Sequence, residues 1–311
     1  MDLEEGIPLA VGKEAKLMLG RTPGNIRAVR PLRDGVIADF DAAEQMIKTF
    51  IQKCNEGKGI LAPRIVIGIP SGVTSVERRA VREAGLAGAR EVHLIDEPVA
   101  AAIGASLPVT EPIGTMIVDI GGGTTEVAVL SLGGTVLSES VRIAGDEINE
   151  SIVLYLKKVH NLVVGERTAE DIKIKIGSAF PDDEFDKTTL EVRGLHLLSG
   201  LPRSVTLTSG EIREAMADTL SKIVEAVKRT LERTPPELAA DIVDRGIMLA
   251  GGGALVRGIN DLLSDETGIF THISENPLLC VVNGCGEVLD DFKKLKRVVD
   301  TPDFIRNAIR D

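Results

Sequence analysis

The chain has 311 residues, and its length and composition exclude several classes of protein. At about 150 residues per domain, this length predicts two domains. Lys and Arg number 36 and Asp and Glu 47, so the net charge of −11 opposes binding to nucleic-acid phosphates. Three scattered cysteines and four histidines, with no CxxC pair, favour neither a disulfide framework nor a zinc site and fit a reducing cytosol. No apolar run approaches the ~20 residues that span a bilayer, and the acidic start MDLEEG lacks the basic region of a signal peptide.

Apolar spacing predicts alternating helices and strands in the first third of the chain. We expect helices over residues 14–19, 39–52, 74–84 and 99–105, and strands over 64–70 and 91–95. Either Ser71 or Thr74 is expected to cap the third helix. The alternation of strand and helix indicates an α/β fold.

After a linker at residues 108–114 the alternation begins again. Strands over 115–120, 126–130 and 136–143 are predicted to form an antiparallel meander. Short strands with turns at Gly194 and Gly200 are expected over 190–208, and the longest helix is expected to begin at Ser209. Further helices are predicted over 146–160, 168–176, 209–231, 251–263 and 286–299, and a further strand over 246–250.

The most informative segment is the glycine turn that follows Asp119. Asp119 stands at the end of a predicted strand, where its carboxylate can hold a hydrated Mg²⁺. Gly121, Gly122 and Gly123 allow backbone N–H groups to approach a phosphate closely, and Thr124 adds a hydroxyl. A plain glycine-rich hairpin explains the same residues without any ligand.

Three weaker signals lie elsewhere in the chain. Glu97 precedes a small-residue helix and can orient a water molecule, although a charge that answers the helix dipole is the simpler explanation. Gly251–Gly253 before a helix suit a phosphate or a nucleotide edge, but close helix–strand packing also needs glycine. Glu170 and Lys173 share a helix face, which a surface ion pair explains equally.

Together and in this order, these segments resemble the actin, sugar-kinase and heat-shock-chaperone ATPase superfamily, and within it the MreB family of bacterial actins. The resemblance runs from Val11 to Leu289 and rests on segments such as AVGKEAKLMLGRTPGNI, IGIPSGVTSVERRA, DEPVAAAIGA, VDIGGGTTEVAVLSLGG, GERTAEDIK and GIMLAGGGALVRG. It implies an α/β actin-like ATPase fold, with two duplicated halves around a nucleotide cleft and the first half truncated at its N-terminus. The implied subdomains are a small one of the first half at 1–40, a large one of the first half at 41–111 with 281–311, a large one of the second half at 112–147 with 212–280, and a small one of the second half at 148–211.

The resemblance also implies roles for individual residues. Glu97 orients the attacking water with help from Thr124, and Asp119 coordinates Mg²⁺ through water. The matching phosphate-binding loop is formed by Gly121, Gly122, Gly123 and Thr124. The nucleoside is bordered by Glu170, Asp171, Ile172 and Lys173 and by the loop of Ala250, Gly251, Gly252, Gly253 and Ala254. Ile60 and Leu61 match an apolar pair that family members press into the inner membrane, although an ordinary lead-in to a strand explains them equally.

The function that the resemblance implies is that of a cytoskeletal ATPase using ATP and Mg²⁺. Such a protein forms head-to-tail filaments of itself in the cytoplasm, at the inner face of the cell membrane, and organises cell-wall elongation proteins and rod shape. Nucleic acid is not an expected partner. The alternatives are a truncated or hydrolysis-deficient structural module that binds or caps filaments and, less readily, a small-molecule kinase or a chaperone ATPase of the same superfold.

One feature departs from the pattern of the family. The first phosphate hairpin is expected before the AVGKEAK segment, and residues 1–9 do not contain it. Its loss predicts an unpaired edge on the strand at 64–70, weakened nucleotide binding and reduced turnover.

Overall fold

The structure is a computed structural model, and it describes residues 1–2, 6–55, 61–295 and 298–300. The chain divides into two compact units, of which the first comprises Met1–Asp96 with Cys285–Asp311 and the second Glu97–Gly284. The finer division into four subdomains stays a prediction. Among the described helices, none combines the length and the apolar character needed to cross a membrane.

Helices and strands alternate along most of the described chain. The helices are α1 (Lys13–Leu17), α2 (Phe40–Asn55), α3 (Ser75–Leu86), α4 (Glu97–Gly104), α5 (Gly145–Val159), α6 (Glu166–Ile176), α7 (Ser209–Glu232), α8 (Pro236–Arg245), α9 (Ile259–Thr267), α10 (Cys280–Asp290) and α11 (Phe292–Leu295). The strands are β1 (Leu32–Arg33), β2 (Val36–Ile37), β3 (Arg64–Ile69), β4 (Glu91–Asp96), β5 (Thr115–Ile120), β6 (Thr125–Ser131), β7 (Gly134–Val141), β8 (Leu162–Val163), β9 (Thr189–His196), β10 (Pro202–Thr208), β11 (Ile247–Ala250), β12 (Thr271–Ile273) and β13 (Val299–Asp300).

The first unit is built on a three-stranded sheet in the order β13-β4-β3. Strands β3 and β4 are parallel, and α3 follows β3 as the sequence predicts. Thr74 rather than Ser71 caps α3, because its hydroxyl accepts from the Glu77 amide at 3.2 Å while the Glu77 carboxylate accepts from the Thr74 amide at 2.7 Å. Within the described chain β3 pairs with β4 alone, so it is the edge strand expected at residues 64–70.

The second unit is built on a five-stranded sheet in the order β12-β11-β5-β6-β7. Strands β5, β6 and β7 form the predicted antiparallel meander, while β11 lies parallel to β5 on its other side. Every residue of β5 is buried, and the 24-residue helix α7 packs a long apolar face against β6 and β7. Because β5 and β11 run in the same direction, both end at one edge of the sheet, where Asp119 pairs with Ala250.

The small sheet β10-β9-β8 corrects one prediction from the sequence. Gly194 does not form a turn: β9 runs through it, and a Cβ there would lie 2.5 Å from the Val163 carbonyl oxygen of the neighbouring strand. Glycine at this position serves the close approach of two strands. Helix α7 begins at Ser209 as predicted, and its cap is Thr208, because Thr208 keeps an extended backbone and its hydroxyl accepts from the Glu211 amide at 3.3 Å.

Two predicted helices are also wrong in extent. Residues 251–263 do not form a single helix, because a 3₁₀ turn at Gly252–Leu255 is separated from α9 by Gly258, which has a left-handed φ of +72°. The tail is not continuously helical either. Its described residues form α10, the single turn α11 and the short strand β13.

Candidate functional site

The first glycine turn joins β5 to β6 within the second unit. The Gly121 amide donates to the Thr124 carbonyl at 2.9 Å, which closes the turn, and Thr124 itself is buried. Gly122 is exposed, and a Cβ built on it would have no heavy atom within 4 Å. The turn therefore presents open backbone at its tip and a hydroxyl at its base, an arrangement that is suited to an anion.

The beginning of α5 rests on this turn. The Gly145 amide donates to the Gly121 carbonyl at 3.1 Å, and the Asp146 amide donates to the Gly122 carbonyl at 2.8 Å. This contact was not indicated by the sequence analysis. The signal that could have found it is a Gly-Asp pair at the boundary between a strand and a helix, where backbone N–H groups lack partners in the helix.

Helix α6 brings Lys173 to the same place. The Lys173 ammonium donates to the Gly145 carbonyl at 2.9 Å, so it lies beside the first glycine turn as well as on the helix expected to border a nucleoside. Glu170 is partly buried one turn earlier, Asp171 is exposed, and Ile172 is fully buried in the core. Of the four predicted residues, Ile172 packs in the core. The other three, Glu170, Asp171 and Lys173, are charged residues that are exposed or partly buried.

The second glycine segment packs directly on the end of β5. Gly251 has a φ of +80°, and a Cβ there would lie 2.4 Å from the Asp119 Oδ1 atom and 2.3 Å from the Ile120 carbonyl oxygen. At Gly253 a Cβ would lie 2.1 Å from the Ile120 Cγ2 atom. The Gly251 amide donates to the Pro277 carbonyl at 2.9 Å. The two glycine segments thus meet at Asp119, and only residues without a side chain fit the contact.

Three carboxyl groups belong to this region. Burial, together with the charges of Asp119 and Glu126, raises the pKa of Glu97 to about 8. Burial and the charge of Glu126 raise the pKa of Asp119 to about 7. Glu126 was not indicated by the sequence analysis: it is the cross-strand partner of Asp119, is fully buried, and accepts from the Ser140 hydroxyl at 2.5 Å. A lone acid in the otherwise apolar run of β6 is the signal that could have indicated it.

Helix α4, which Glu97 begins, is held by a glycine contact with α10. A Cβ on Gly284 would lie 1.9 Å from the Ala100 carbonyl oxygen, and a Cβ on Gly104 would lie 2.0 Å from the Cys280 carbonyl oxygen. The alanines at 100–102 are fully buried. Backbones this close leave α4 little freedom to shift, so the position of Glu97 at its first turn is fixed by packing.

The two residues predicted to contact the membrane are Ile60 and Leu61. Leu61 is 78% exposed, and Ile60 lies outside the described residues. Among the residues that the structure describes, no group of three or more His, Cys, Asp or Glu side chains is arranged to hold a metal ion.

Comparison with known proteins gives one consistent result. The model of the family described as MreB/Mbl protein matches residues 1–297. The cell shape-determining protein Mbl of Bacillus subtilis strain 168 is 49% identical over 299 residues, which are 96% of this chain and 89% of Mbl. The cell shape-determining protein MreB of Escherichia coli strain K12 is 54% identical over 283 residues, which are 90% of this chain and 81% of MreB.

Solved structures agree with the sequence comparison. MreB5 of Spiroplasma citri bound to ADP has a TM-score of 0.86 at 38% identity, covering 92% of this chain and 86% of MreB5. The same protein bound to AMPPNP has a TM-score of 0.84. A MamK double helical filament has a TM-score of 0.74 at 20% identity, a likeness that shows the fold alone. The α/β fold of actin-like ATPases, predicted from the sequence, is confirmed.

Proposed function

Because the chain belongs to the MreB/Mbl family of cytoskeletal, cell shape-determining proteins, we propose that it binds ATP, hydrolyses it, and assembles with copies of itself into filaments. The observation that carries the proposal is the meeting of two glycine segments at Asp119, where a Cβ on Gly251 would lie 2.4 Å from the carboxylate. A sheet edge lined by backbone and one carboxylate is suited to phosphate and its counter-ion.

The residues divide into a phosphate side and a nucleoside side. Gly121–Thr124 offer the open backbone of the first turn to the phosphates, and Lys173 beside Gly145 brings a positive charge to that turn. Residues 250–254 and the charged face of α6 border the nucleoside. That MreB5, at 38% identity, is known bound to ADP and to AMPPNP supports this assignment.

The donor set fits Mg²⁺. Asp119 is a buried carboxylate at the end of a strand, and hard oxygen ligands are the ones that Mg²⁺ takes. Since Mg²⁺ usually keeps several waters and is bound through one or two carboxylates and the substrate phosphates, the site needs no cluster of three side chains. Asp119 would hold the ion through water, and when bound the ion neutralises charge that develops on the phosphates.

Glu97 is assigned to the attacking water. Its carboxyl lies at the first turn of the firmly packed α4 and in the electrostatic range of Asp119. A carboxyl in this place accepts a hydrogen bond from water and fixes the direction in which the water approaches phosphorus, while the Thr124 hydroxyl lies at the base of the phosphate turn. Glu97 therefore serves turnover, and the glycine segments serve binding.

Membrane attachment is the further part of the proposal. Leu61 exposes most of a large apolar side chain, which is costly in water and is suited to the interfacial region of a bilayer. With Ile60 it would hold filaments at the inner face of the cell membrane. There the filaments would organise cell-wall elongation proteins and so determine rod shape, in keeping with the cell shape-determining relatives.

The test combines sedimentation of filaments with phosphate release from ATP in the presence of Mg²⁺. We expect ATP-dependent pelleting together with phosphate release that does not respond to added sugars. Pelleting without phosphate release would instead indicate a hydrolysis-deficient structural module. Phosphate release that rises with a sugar acceptor would instead indicate a kinase. No response of either assay to ATP would contradict it altogether.

A further inference from the structure

The connection between α6 and β9 is fastened to the segment that follows the second glycine loop. The Ala179 amide donates to the Arg257 carbonyl at 2.7 Å, and Ser178 and Arg257 pair in a parallel β-bridge. Gly258 lies so close that a Cβ there would be 2.8 Å from the Phe180 Cβ atom. The backbones of the two segments therefore form a single joint within the second unit.

The side chain of Arg257 extends this joint over the next turn of the connection. Its Nη2 atom donates to the Asp182 Oδ2 atom at 2.9 Å, and its guanidinium lies 4.2 Å from the centre of the Phe185 ring. The other Asp182 oxygen accepts from the Phe185 amide at 3.0 Å and from the Glu184 amide at 3.1 Å. The Arg257 guanidinium thus contacts both the Phe185 ring and the Asp182 carboxylate that shapes the turn. A planar cation suits both contacts, which favours arginine at this position.

Each of the two segments that meet at the joint is close in sequence to residues assigned to the nucleoside. Arg257 comes three residues after Ala254, the last residue of the second glycine segment. On the other side, the Gly177 amide donates to the Lys173 carbonyl at 2.9 Å, so the connection begins at the nucleoside-bordering end of α6. The joint therefore connects these two segments through a few residues of backbone on each side.

The Arg257 side chain is not required for the core. It is 54% exposed, whereas the neighbouring Val256 and Ala179 are buried members of the main apolar cluster. The backbone joint and its apolar packing remain when the guanidinium is removed. A variant at Arg257 is therefore expected to fold, with a looser connection between the two borders.

We propose that Arg257 is a positioning residue for the nucleoside half of the nucleotide site, an inference that rests on the proposed function. Arg257 acts through the segments that it joins. It fixes the distance between α6 and the second glycine segment, whereas the phosphate turn at Gly121–Thr124 keeps its own hydrogen bonds, from the Gly121 amide to the Thr124 carbonyl and from the Gly145 amide to the Gly121 carbonyl.

The experiment measures the Kd for ATP with Mg²⁺ by calorimetry and the affinity for inorganic tripolyphosphate by competition. We expect Arg257→Ala to weaken ATP binding about fivefold, the size expected when a partly exposed ion pair and a cation–π contact are lost. Tripolyphosphate, which lacks a nucleoside, should bind as it does to the unsubstituted chain. Arg257→Lys keeps the charge near Asp182 and should recover part of the ATP affinity.

The matched control is Arg193→Ala, which removes an 84% exposed arginine that pairs with Glu191 on β9. It should change neither affinity. Unchanged ATP binding in Arg257→Ala would overturn the inference, and so would equal losses of affinity for ATP and for tripolyphosphate. The inference would also fail if the unfolding midpoint of the ligand-free variant fell far enough for unfolding to explain the lost ATP affinity. If the unsubstituted chain binds no ATP, the proposed function fails instead.

Discussion

The buried carboxyl of Glu97 predicts an unusual dependence of stability on pH. Its pKa is about 8 in the folded chain and 4.5 ordinarily, so between these values the folded chain holds a proton that the unfolded chain has released. A raised pKa of an acid contributes stability below the folded value, and this contribution is lost as pH rises through it. The ligand-free protein should therefore become less stable between pH 6 and pH 8.

The magnitude follows from linkage. Each pH unit within this window contributes up to about 1.4 kcal/mol for one proton, so Glu97 alone adds about 2 kcal/mol of stability at pH 6 relative to pH 8. Asp119, whose pKa is about 7, adds about 1 kcal/mol over the same window. The substitution Glu97→Gln keeps the shape of the side chain and removes its titration, so only the share of Asp119 should remain.

Urea unfolding at several pH values measures the difference. We expect the unsubstituted chain to lose about 3 kcal/mol in the free energy of unfolding from pH 6 to pH 8, and Glu97→Gln to lose about 1 kcal/mol. Glu150→Gln, an exposed position on α5, serves as the control and should follow the unsubstituted chain. Equal slopes for Glu97→Gln and the unsubstituted chain, or stability that rises toward pH 8, would show that Glu97 does not hold a proton in the folded chain at pH 6.

Five further substitutions test glycine packing at the site and the capping of α7, each by urea unfolding. Gly251→Ala should cost about 2 to 4 kcal/mol because φ is +80° and the new Cβ would lie 2.3 Å from a backbone oxygen, while Gly122→Ala, with open space around it, should cost under about 1 kcal/mol. Gly284→Ala should cost at least as much as Gly251→Ala, about 3 kcal/mol or more, because its Cβ would lie 1.9 Å from a carbonyl oxygen of α4. A smaller cost would show that α4 and α10 can separate. Thr208→Ala should cost about 1 kcal/mol by removing the cap of α7, whereas Ser209→Ala should be neutral, since its buried hydroxyl has no hydrogen-bond partner among the described residues. The reverse order would contradict the capping assignment.

The strands and the first glycine turn could be predicted because their signals are local. The continuous apolar runs at 64–70 and 115–120 have the composition of buried strands, and both occur close to the predicted positions. The turn at Gly121–Gly123 follows a strand and precedes another, a pattern that is complete within about ten residues. The α/β fold and the family follow from the order of such segments.

The errors share a physical cause, which is that glycine serves more than one purpose. At Gly194 it permits two strands to approach, and at Gly258 it ends one helical segment before the next begins. Sequence alone gives no distance to the neighbouring backbone, so a turn, a close contact and a helix start look alike. Glu126 and Arg257 were missed for a related reason, because their meaning depends on partners 7 and 75 residues away in the chain.

The most direct test of the central claim compares the unsubstituted chain with Glu97→Gln in two assays on the same samples, ATP binding with Mg²⁺ and phosphate release. We expect both to bind ATP with similar Kd and Glu97→Gln to release phosphate about a hundredfold more slowly, since only the positioning of the water is lost. Equal rates of release would remove Glu97 from the reaction. Absence of ATP binding by the unsubstituted chain would contradict the assignment of the two glycine segments to a nucleotide site.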